Sequence, residues 1–274
     1  MKHLNADRVW LSQLADIFAN GSPRAARKLH TLDLVGSHIV VDMMTPVVTV
    51  AERKLSYRFM AAEASWILSG SDKVSGIAPW NKNISQFSDD GVTFFGAYGP
   101  KIQDQKQYVI RKLREDPDTR QAGLTIWREN PPQTKDVPCT IAMFFSRRGT
   151  FLDSNVFMRS SDAWLGLPYD IFNFSMVTVD ICNSLNAANR MSPQAPAASA
   201  ILPGRLHLTM ASSHLYERDF AAATACLRST ADNQNPVPDE YWRGGMVTTA
   251  TRLAVLRETS PMDKFRWWDH AAPF

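Results

Sequence analysis

The sequence predicts an α+β fold that forms a single domain over residues 1–274. Three observations lead to this prediction. Segments with the spacing of amphipathic helices alternate with runs of β-branched residues. The composition, 45% hydrophobic and 21% charged, is that of an ordinary globular protein. The chain also lacks internal repeats, low-complexity linkers and sharp changes of composition, so one domain is the simplest account.

The spacing of apolar residues predicts five helices, over residues 10–18, 55–67, 105–115, 171–185 and 217–227. The fourth helix is apolar around most of its circumference and is therefore expected to be central and buried. Glu63 lies in the second helix, beside its apolar stripe. Its carboxylate is either exposed at the margin of that stripe or buried for a purpose.

Strands are predicted where β-branched and aromatic residues cluster, over residues 34–50, 122–127, 140–145, 151–159 and 206–210. Arg147-Arg148-Gly149 separates the third and fourth of these and suits a hairpin. Residues 69–99 are polar and rich in turn formers. The C-terminal residues Trp267, Trp268 and Phe274 are aromatic, and their pattern assigns them to no element.

Composition and cysteine spacing exclude several classes of protein. The three cysteines are far apart, which argues against a disulfide framework and against a zinc site, so no metal is expected. The N-terminus has no apolar core of signal-peptide length, and no stretch reaches the ~18–20 apolar residues of a membrane span. A reduced, cytoplasmic protein is expected. The net charge of +3 includes no basic run of the kind that binds nucleic acid directly.

Three segments carry reactive or ligand-binding side chains. Cys139 follows a proline at the start of a predicted strand, where a cysteine is either a nucleophile or a small buried apolar residue. Arg159 and Ser160 follow another strand and suit a phosphate clamp, although a surface arginine before a capped loop has the same pattern. His214 and Tyr216 alternate, so on an extended segment their side chains point the same way.

Together these segments resemble the thymidylate synthase family. That family has a Pro-Cys nucleophile, then an Arg-Ser-x-Asp-x-x-Leu-Gly-x-Pro-Phe-Asn loop about twenty residues later, then a Thr-His-Leu-Tyr segment. Further similarity lies in segments 53–70, 95–99 and 116–120, and the resemblance covers residues 50 to 220. It implies a thymidylate synthase-like single domain with a mixed or antiparallel β-sheet packed with helices, one sheet face being used for dimerisation.

The resemblance also implies a mechanism. The thiolate of Cys139 adds to C6 of a pyrimidine nucleoside monophosphate, which makes C5 nucleophilic towards the methylene carbon of 5,10-methylenetetrahydrofolate. Glu63 is the implied acid and base, acting through water.

The same resemblance assigns binding roles to further residues. The implied phosphate ligands are Arg159 and Ser160, an N-terminal arginine (Arg24, with Arg27 as its rival) and, across a homodimer, Arg120 of the partner subunit. Ser161 is a further implied substrate-binding residue. His214 and Tyr216 are implied to bind the ribose 3′-hydroxyl. The implied folate site contains Asp162, Gly166, Trp80 and Tyr169.

Asp170 departs from the family, which has Asn at this position to read uracil. An amide pairs with both O4 and N3–H of uracil, whereas a carboxylate accepts from the amino group of cytosine and shares a proton with N3. A carboxylate facing O4 costs roughly 1–3 kcal/mol, about 10- to 100-fold in discrimination. The alternative is that Asp170 only caps a helix beginning at Ile171.

An Asp at this position is typical of the cytidylate hydroxymethylases of bacteriophages and nucleoside-antibiotic pathways, in which water traps the exocyclic methylene. The sequence therefore indicates a deoxycytidylate 5-hydroxymethyltransferase in a bacterial or phage-infected cell. Thr140, Gln121 and the segment 172–174 are further departures from the synthases. A CMP hydroxymethylase, a dCMP methylase and a thymidylate synthase or dUMP hydroxymethylase remain alternatives.

Two interpretations outside this activity also remain. Cys139, His214 and Asn173 are the residue types of a cysteine hydrolase, although the residues around the cysteine match no protease signature. A catalytically inactive relative that binds nucleotide or RNA is the other. The presence of Cys139, Glu63, Arg159 and Asp162 together argues against it.

Overall fold

The computed structural model describes residues 4–26, 28–190 and 200–228. Arg27, the rival phosphate ligand, lies outside the described residues, as do Trp267, Trp268 and Phe274.

Six α-helices and seven strands make up this part of the chain. The helices are α1 (Ala6–Asn20), α2 (Tyr57–Leu68), α3 (Val74–Ile77), α4 (Tyr98–Glu115), α5 (Leu167–Arg190) and α6 (Phe220–Leu227). The strands are β1 (Ser22–Ala26), β2 (Leu29–Asp42), β3 (Gly123–Thr125), β4 (Thr140–Arg148), β5 (Phe151–Met158), β6 (Ser161–Asp162) and β7 (Leu202–Tyr216). Short 3-10 helices occupy Ala51–Arg53, Lys82–Phe87 and Glu217–Asp219.

The strands form one mixed sheet in the order β1-β2-β7-β5-β4-β3. Strand β7 is central: it pairs antiparallel with β2 and parallel with β5, and β6 joins it in parallel beyond the end of β5. The β4–β5 hairpin is antiparallel, as the Arg147-Arg148-Gly149 segment predicts, but both arginines belong to β4 and the turn is Gly149-Thr150. The predicted α+β fold with a mixed sheet and packed helices is confirmed.

Helix α5 is the centre of the core. Every residue from 171 to 186 is buried, and the helix packs against α2, α4 and β7. This confirms the central buried helix that its apolar circumference predicts. Between α4 and α5, Lys106 and Asp180 form a buried ion pair. No helix in the described ranges is long and apolar enough to cross a membrane.

Several element boundaries differ from the predicted ones. Helix α5 begins at Leu167 and not at Ile171, and α4 begins at Tyr98 and not at Gln105. Both helices carry a proline in their first turn, where a missing N–H costs nothing, so a proline there does not stop a helix. Strand β1 was not predicted, because its sequence, Ser-Pro-Arg-Ala-Ala, contains no β-branched residue.

The sheet face that does not carry the core is unusually apolar. Strands β4 and β5 alternate buried and exposed residues over much of their length, and the exposed positions include large side chains. The exposed large apolar residues on the strands of the sheet are Leu29, Val35, Ile141, Phe144, Phe151 and Phe157. Two of them, Phe144 and Phe157, pack edge to face with ring centroids 6.4 Å apart.

Candidate active site

A cleft of about 570 Å³ brings most of the predicted site residues together. Its wall is built from the first turns of α5, one side of α2, the segment before β4, and the ends of β5, β6 and β7. Predicted site residues that line it are Arg24, Glu63, Cys139, Arg159, Ser160, Ser161, Asp162, Gly166, Asp170, His214 and Tyr216. The volume is that of an ordinary small-molecule site.

The β4–β5 hairpin places Cys139 beside Arg159. Cys139 directly precedes β4 and Arg159 directly follows β5, and the Arg159 N–H donates to the Cys139 carbonyl at 2.9 Å. The Arg159 guanidinium donates to the carbonyls of Val137 and Pro138 and lies 3.6 Å from Cys139 Sγ. A half-buried sulfur next to a fixed positive charge is a good position for a thiolate nucleophile.

Glu63 faces the same cleft from α2. Asn173 of α5 donates from Nδ2 to Glu63 Oε2 at 2.7 Å. Burial raises the pKa of Glu63 to about 7, and the hydrogen bond from Asn173 opposes that rise in part. A carboxyl that titrates near neutral pH can both give and take a proton, which suits a general acid and base.

Asp170 lies one turn before Asn173 on the same face of α5. Burial raises its pKa well above the ordinary value, and the neighbouring charges of Glu63 and Asp162 raise it further. Because α5 begins at Leu167, Asp170 is inside the first turn and is not the N-cap of this helix. Helix capping alone therefore does not account for the aspartate.

The opposite end of the cleft holds His214 and Tyr216 at the end of β7. Their rings pack edge to face, 5.3 Å apart, and His214 Nδ1 lies 3.5 Å from Ser160 Oγ. Burial lowers the pKa of His214, while the charges of Asp162 and Asp33 oppose that shift. Arg24 of β1 lines the same region, on the strand that pairs with β2.

The loop between β6 and α5 is held by Asp162. Its Oδ1 accepts the N–H groups of Trp164 and Leu165, both at 2.9 Å. The Trp164 carbonyl accepts two hydrogen bonds from the buried Arg53 guanidinium, which also lies 4.5 Å from the centre of the Trp164 ring. Asp162 and Gly166 thereby present a rigid rim to the cleft.

Three predicted site residues do not line the cleft. Arg120 is exposed in the segment between α4 and β3. Trp80 is partly buried, with the Arg58 guanidinium 5.1 Å from its ring centre. Tyr169 packs edge to face on Phe59, and its hydroxyl accepts the Ser56 N–H at 3.3 Å. Besides His214 and Tyr216, the aromatic residues that line the cleft are Trp66, Phe87, Phe94 and Tyr98.

Several residues in the cleft carry no sequence signal of their own. Asp33 of β2 accepts a hydrogen bond from Ser212 of β7 at 2.5 Å. Asp136 Oδ2 accepts the Gly96 N–H at 2.7 Å and so joins the segment before the nucleophile to the segment before α4. Ser212 and His214 are two residues apart on β7, so alternation places them on the same face of the strand. The position of Asp33 in the cleft follows only from the pairing of β2 with β7.

Comparison with known proteins shows which family the chain belongs to. The thymidylate synthase family matches residues 8–238, which is most of the chain. The chain belongs to the thymidylate synthase family. Members of this family carry out one-carbon transfer on a bound nucleoside monophosphate, with methylenetetrahydrofolate as cosubstrate.

Relatives of the chain carry two names. A deoxyuridylate hydroxymethyltransferase of Bacillus phage SP01 is 37% identical over 135 residues, 42% of this chain and 35% of that protein. One of Pseudomonas phage M6 is 31% identical over 157 residues, 54% of this chain and 45% of that protein. A thymidylate synthase of Enterobacteria phage T4 is 26% identical over 240 residues, 78% of each chain. The chain thus matches less than half the length of each hydroxymethyltransferase.

The described residues contain no group of three His, Cys, Asp or Glu side chains that could hold a metal ion. All three cysteines lie within the described ranges, and none is in a disulfide.

Proposed function

We propose that the protein transfers a one-carbon unit from methylenetetrahydrofolate to C5 of dCMP and adds water, giving 5-hydroxymethyl-dCMP and tetrahydrofolate. The observation that carries this proposal is Asp170, a partly buried acid with a raised pKa at the position where synthases read uracil with Asn. Cys139 is the proposed nucleophile at C6, with the Arg159 guanidinium beside its sulfur.

The raised pKa of Asp170 supports cytosine as the base. A protonated carboxyl offers one donor and one acceptor. Its carbonyl accepts from the amino group of cytosine, and its O–H donates to N3. When Cys139 adds to C6, electron density moves from the C5=C6 bond to N3, and the Asp170 proton neutralises it there. An amide can donate a hydrogen bond to N3 but cannot transfer that proton.

A second candidate, hydroxymethylation of dUMP, is favoured by the names of two relatives, both deoxyuridylate hydroxymethyltransferases. The structure supplies a physical reason to test it. The mismatch between Asp170 and uracil O4 requires an ionised carboxylate, and the raised pKa removes much of that repulsion. A neutral acid can place its proton towards O4 and accept from N3–H with its other oxygen.

The cleft fits a folate cosubstrate next to a nucleotide. Trp66, Phe87 and Phe94 give it an apolar wall, and Asp162 provides a fixed carboxylate on its rim. When bound, the folate supplies the methylene carbon that C5 attacks. The predicted contacts of Trp80 and Tyr169 with folate remain predictions, since neither residue lines the cleft.

A homodimer through the exposed sheet face is part of this proposal. The exposed side chains of Phe144, Phe157 and Ile141 form an apolar patch of the kind that marks an interface. A two-fold interface places the same surface of each protomer opposite its copy. Arg120 is exposed, and in such a dimer the Arg120 of each protomer would reach the phosphate site of the other.

Product analysis tests the proposal. The protein is incubated with methylenetetrahydrofolate and dCMP, dUMP or CMP, and each product is identified by mass. We expect dCMP to gain a hydroxymethyl group while tetrahydrofolate is released unoxidised. Conversion of dUMP but not dCMP would establish the second candidate, dihydrofolate would indicate a methylase, and faster turnover of CMP would indicate a ribonucleotide enzyme.

A further inference from the structure

Asn173 has one polar atom with an evident partner and one without. Its Nδ2 donates to Glu63 Oε2 at 2.7 Å. Its Oδ1 is buried, and no group in the described ranges of the chain donates a hydrogen bond to it. The residue is only 4% exposed and lines the cleft. A buried amide oxygen without a donor costs free energy, so a native protein retains one where a ligand or water supplies the missing hydrogen bond.

The surroundings of Asn173 keep this oxygen in place. Phe172 and Phe174, its neighbours on α5, are completely or almost completely buried. The Phe174 ring stacks on Tyr98 with the two planes 9° apart. The hydrogen bond to Glu63 holds the other end of the amide, so Oδ1 is directed by contacts on both sides of the helix.

We propose that Asn173 is a positioning residue for the water that traps the exocyclic methylene. Asn173 Oδ1 accepts one hydrogen bond from this water, and Glu63, held by Asn173 Nδ2, accepts the other. This role rests on the proposed hydroxymethyl transfer and holds for either base. It also explains why a carboxamide is needed here, because a serine is too short to reach both Glu63 and a water.

The trapping step is balanced as follows. The water oxygen forms a bond to the methylene carbon, and its proton passes to the Glu63 carboxylate. The electron pair of the exocyclic double bond moves into the ring. That pair then restores the C5=C6 bond and expels the Cys139 thiolate from C6. No oxidant or reductant takes part, so tetrahydrofolate leaves without a change of oxidation state.

The partition of the methylene intermediate between two nucleophiles tests this role. Each variant is incubated with substrate, folate and a fixed concentration of 2-mercaptoethanol. The ratio of hydroxymethyl product to thioether product is measured by mass, together with tritium release from C5. The thiol competes with water for one intermediate, so the ratio reports on the water alone, independently of earlier steps.

Three substitutions separate the two ends of the amide. Asn173→Ala and Asn173→Ser remove the acceptor, and we expect both to lower the ratio by about tenfold, the effect of one lost hydrogen bond. Asn173→Asp keeps an acceptor in place but loses the Nδ2 donor to Glu63, so it should lower the ratio by less than Asn173→Ala does. Asn186→Ala, which removes another buried amide of α5 bonded to Ile201, should leave the ratio unchanged.

The outcomes distinguish this role from the proposed function. An unchanged ratio in both the alanine and serine variants would overturn the role of Asn173, as would an aspartate variant as defective as alanine. If wild-type protein yields no hydroxymethyl product from any nucleotide, the proposed function fails first, and the wild-type reaction alone reveals it. Thermal melts of each variant identify any that are unfolded, and the remaining substitutions then decide.

Discussion

Replacing Asp170 by Asn turns a carboxyl into an amide of nearly equal size at the base-reading position. A protonated carboxyl and an amide both present one donor and one acceptor to the base, but only the carboxyl can transfer its proton. Burial and the charges of Glu63 and Asp162 raise the pKa of Asp170 well above its ordinary value, which favours the protonated acid. The amide keeps a donor and an acceptor but cannot protonate N3 of cytosine.

The expected loss on dCMP is that of a general acid. Such a group contributes typically 10²- to 10⁴-fold, or about 3–5 kcal/mol of activation free energy. The change on dUMP should be much smaller. Relief of a repulsion between carboxylate and O4 is worth roughly 1–3 kcal/mol, but most of that is already absent when Asp170 is neutral. We expect kcat/KM for dUMP to change by less than about tenfold.

Initial rates with each nucleotide, and product ratios from equimolar mixtures, measure both effects at saturating folate. Asp180→Asn is a matched control, because it makes the same chemical change about three turns further along α5, away from the cleft. It should lower stability and leave base preference unaltered. The reasoning is refuted if the Asp170→Asn enzyme retains dCMP activity within about tenfold of wild type.

Three further predictions follow from the structure. Glu63→Gln should abolish tritium release from C5. It should also raise the free energy of unfolding, relative to wild type, more at pH 8 than at pH 5, by up to about 3 kcal/mol in urea denaturation. In the wild type the raised pKa of Glu63 contributes fully to the free energy of unfolding below pH 4.5, and this contribution is lost as pH rises to about 7. A stability difference between variant and wild type that does not change with pH would contradict this prediction. Lys106→Met should lower the free energy of unfolding by about 3–5 kcal/mol in the same assay, because it leaves Asp180 unpaired. Adding Asp180→Leu should recover most of this stability. An equal loss of stability in the single and double variants would argue against a buried pair. Co-expression of the inactive Arg120→Ala and Cys139→Ser variants should restore about a quarter of wild-type activity. Half of the dimers are mixed, and in each of these the protomer that keeps Cys139 receives an intact Arg120 from its partner. If no activity returns, Arg120 does not act in the partner's site.

Local sequence patterns predicted the parts of the fold that depend on short-range order. Helix α5 was recognised from its apolar circumference, and the β4–β5 hairpin from the Arg-Arg-Gly segment at the end of β4. The pattern failed at boundaries and edges. The starts of α4 and α5 contain proline, and β1 has a composition unlike that of a strand. Strand β1 forms because its backbone pairs with β2, which no local signal records.

The sequence by itself determined the family, the order of its reactive segments and the aspartate that stands where the synthases have an asparagine. These are properties of single residues and of their spacing along the chain. Only the tertiary structure decided which side chains meet: Glu63 and Asn173 are 110 residues apart, and Asp33 and Ser212 are 179 apart. Only burial among those neighbours decided that Asp170 is an acid with a raised pKa, because desolvation depends on everything that packs around a group and not on its place in the chain.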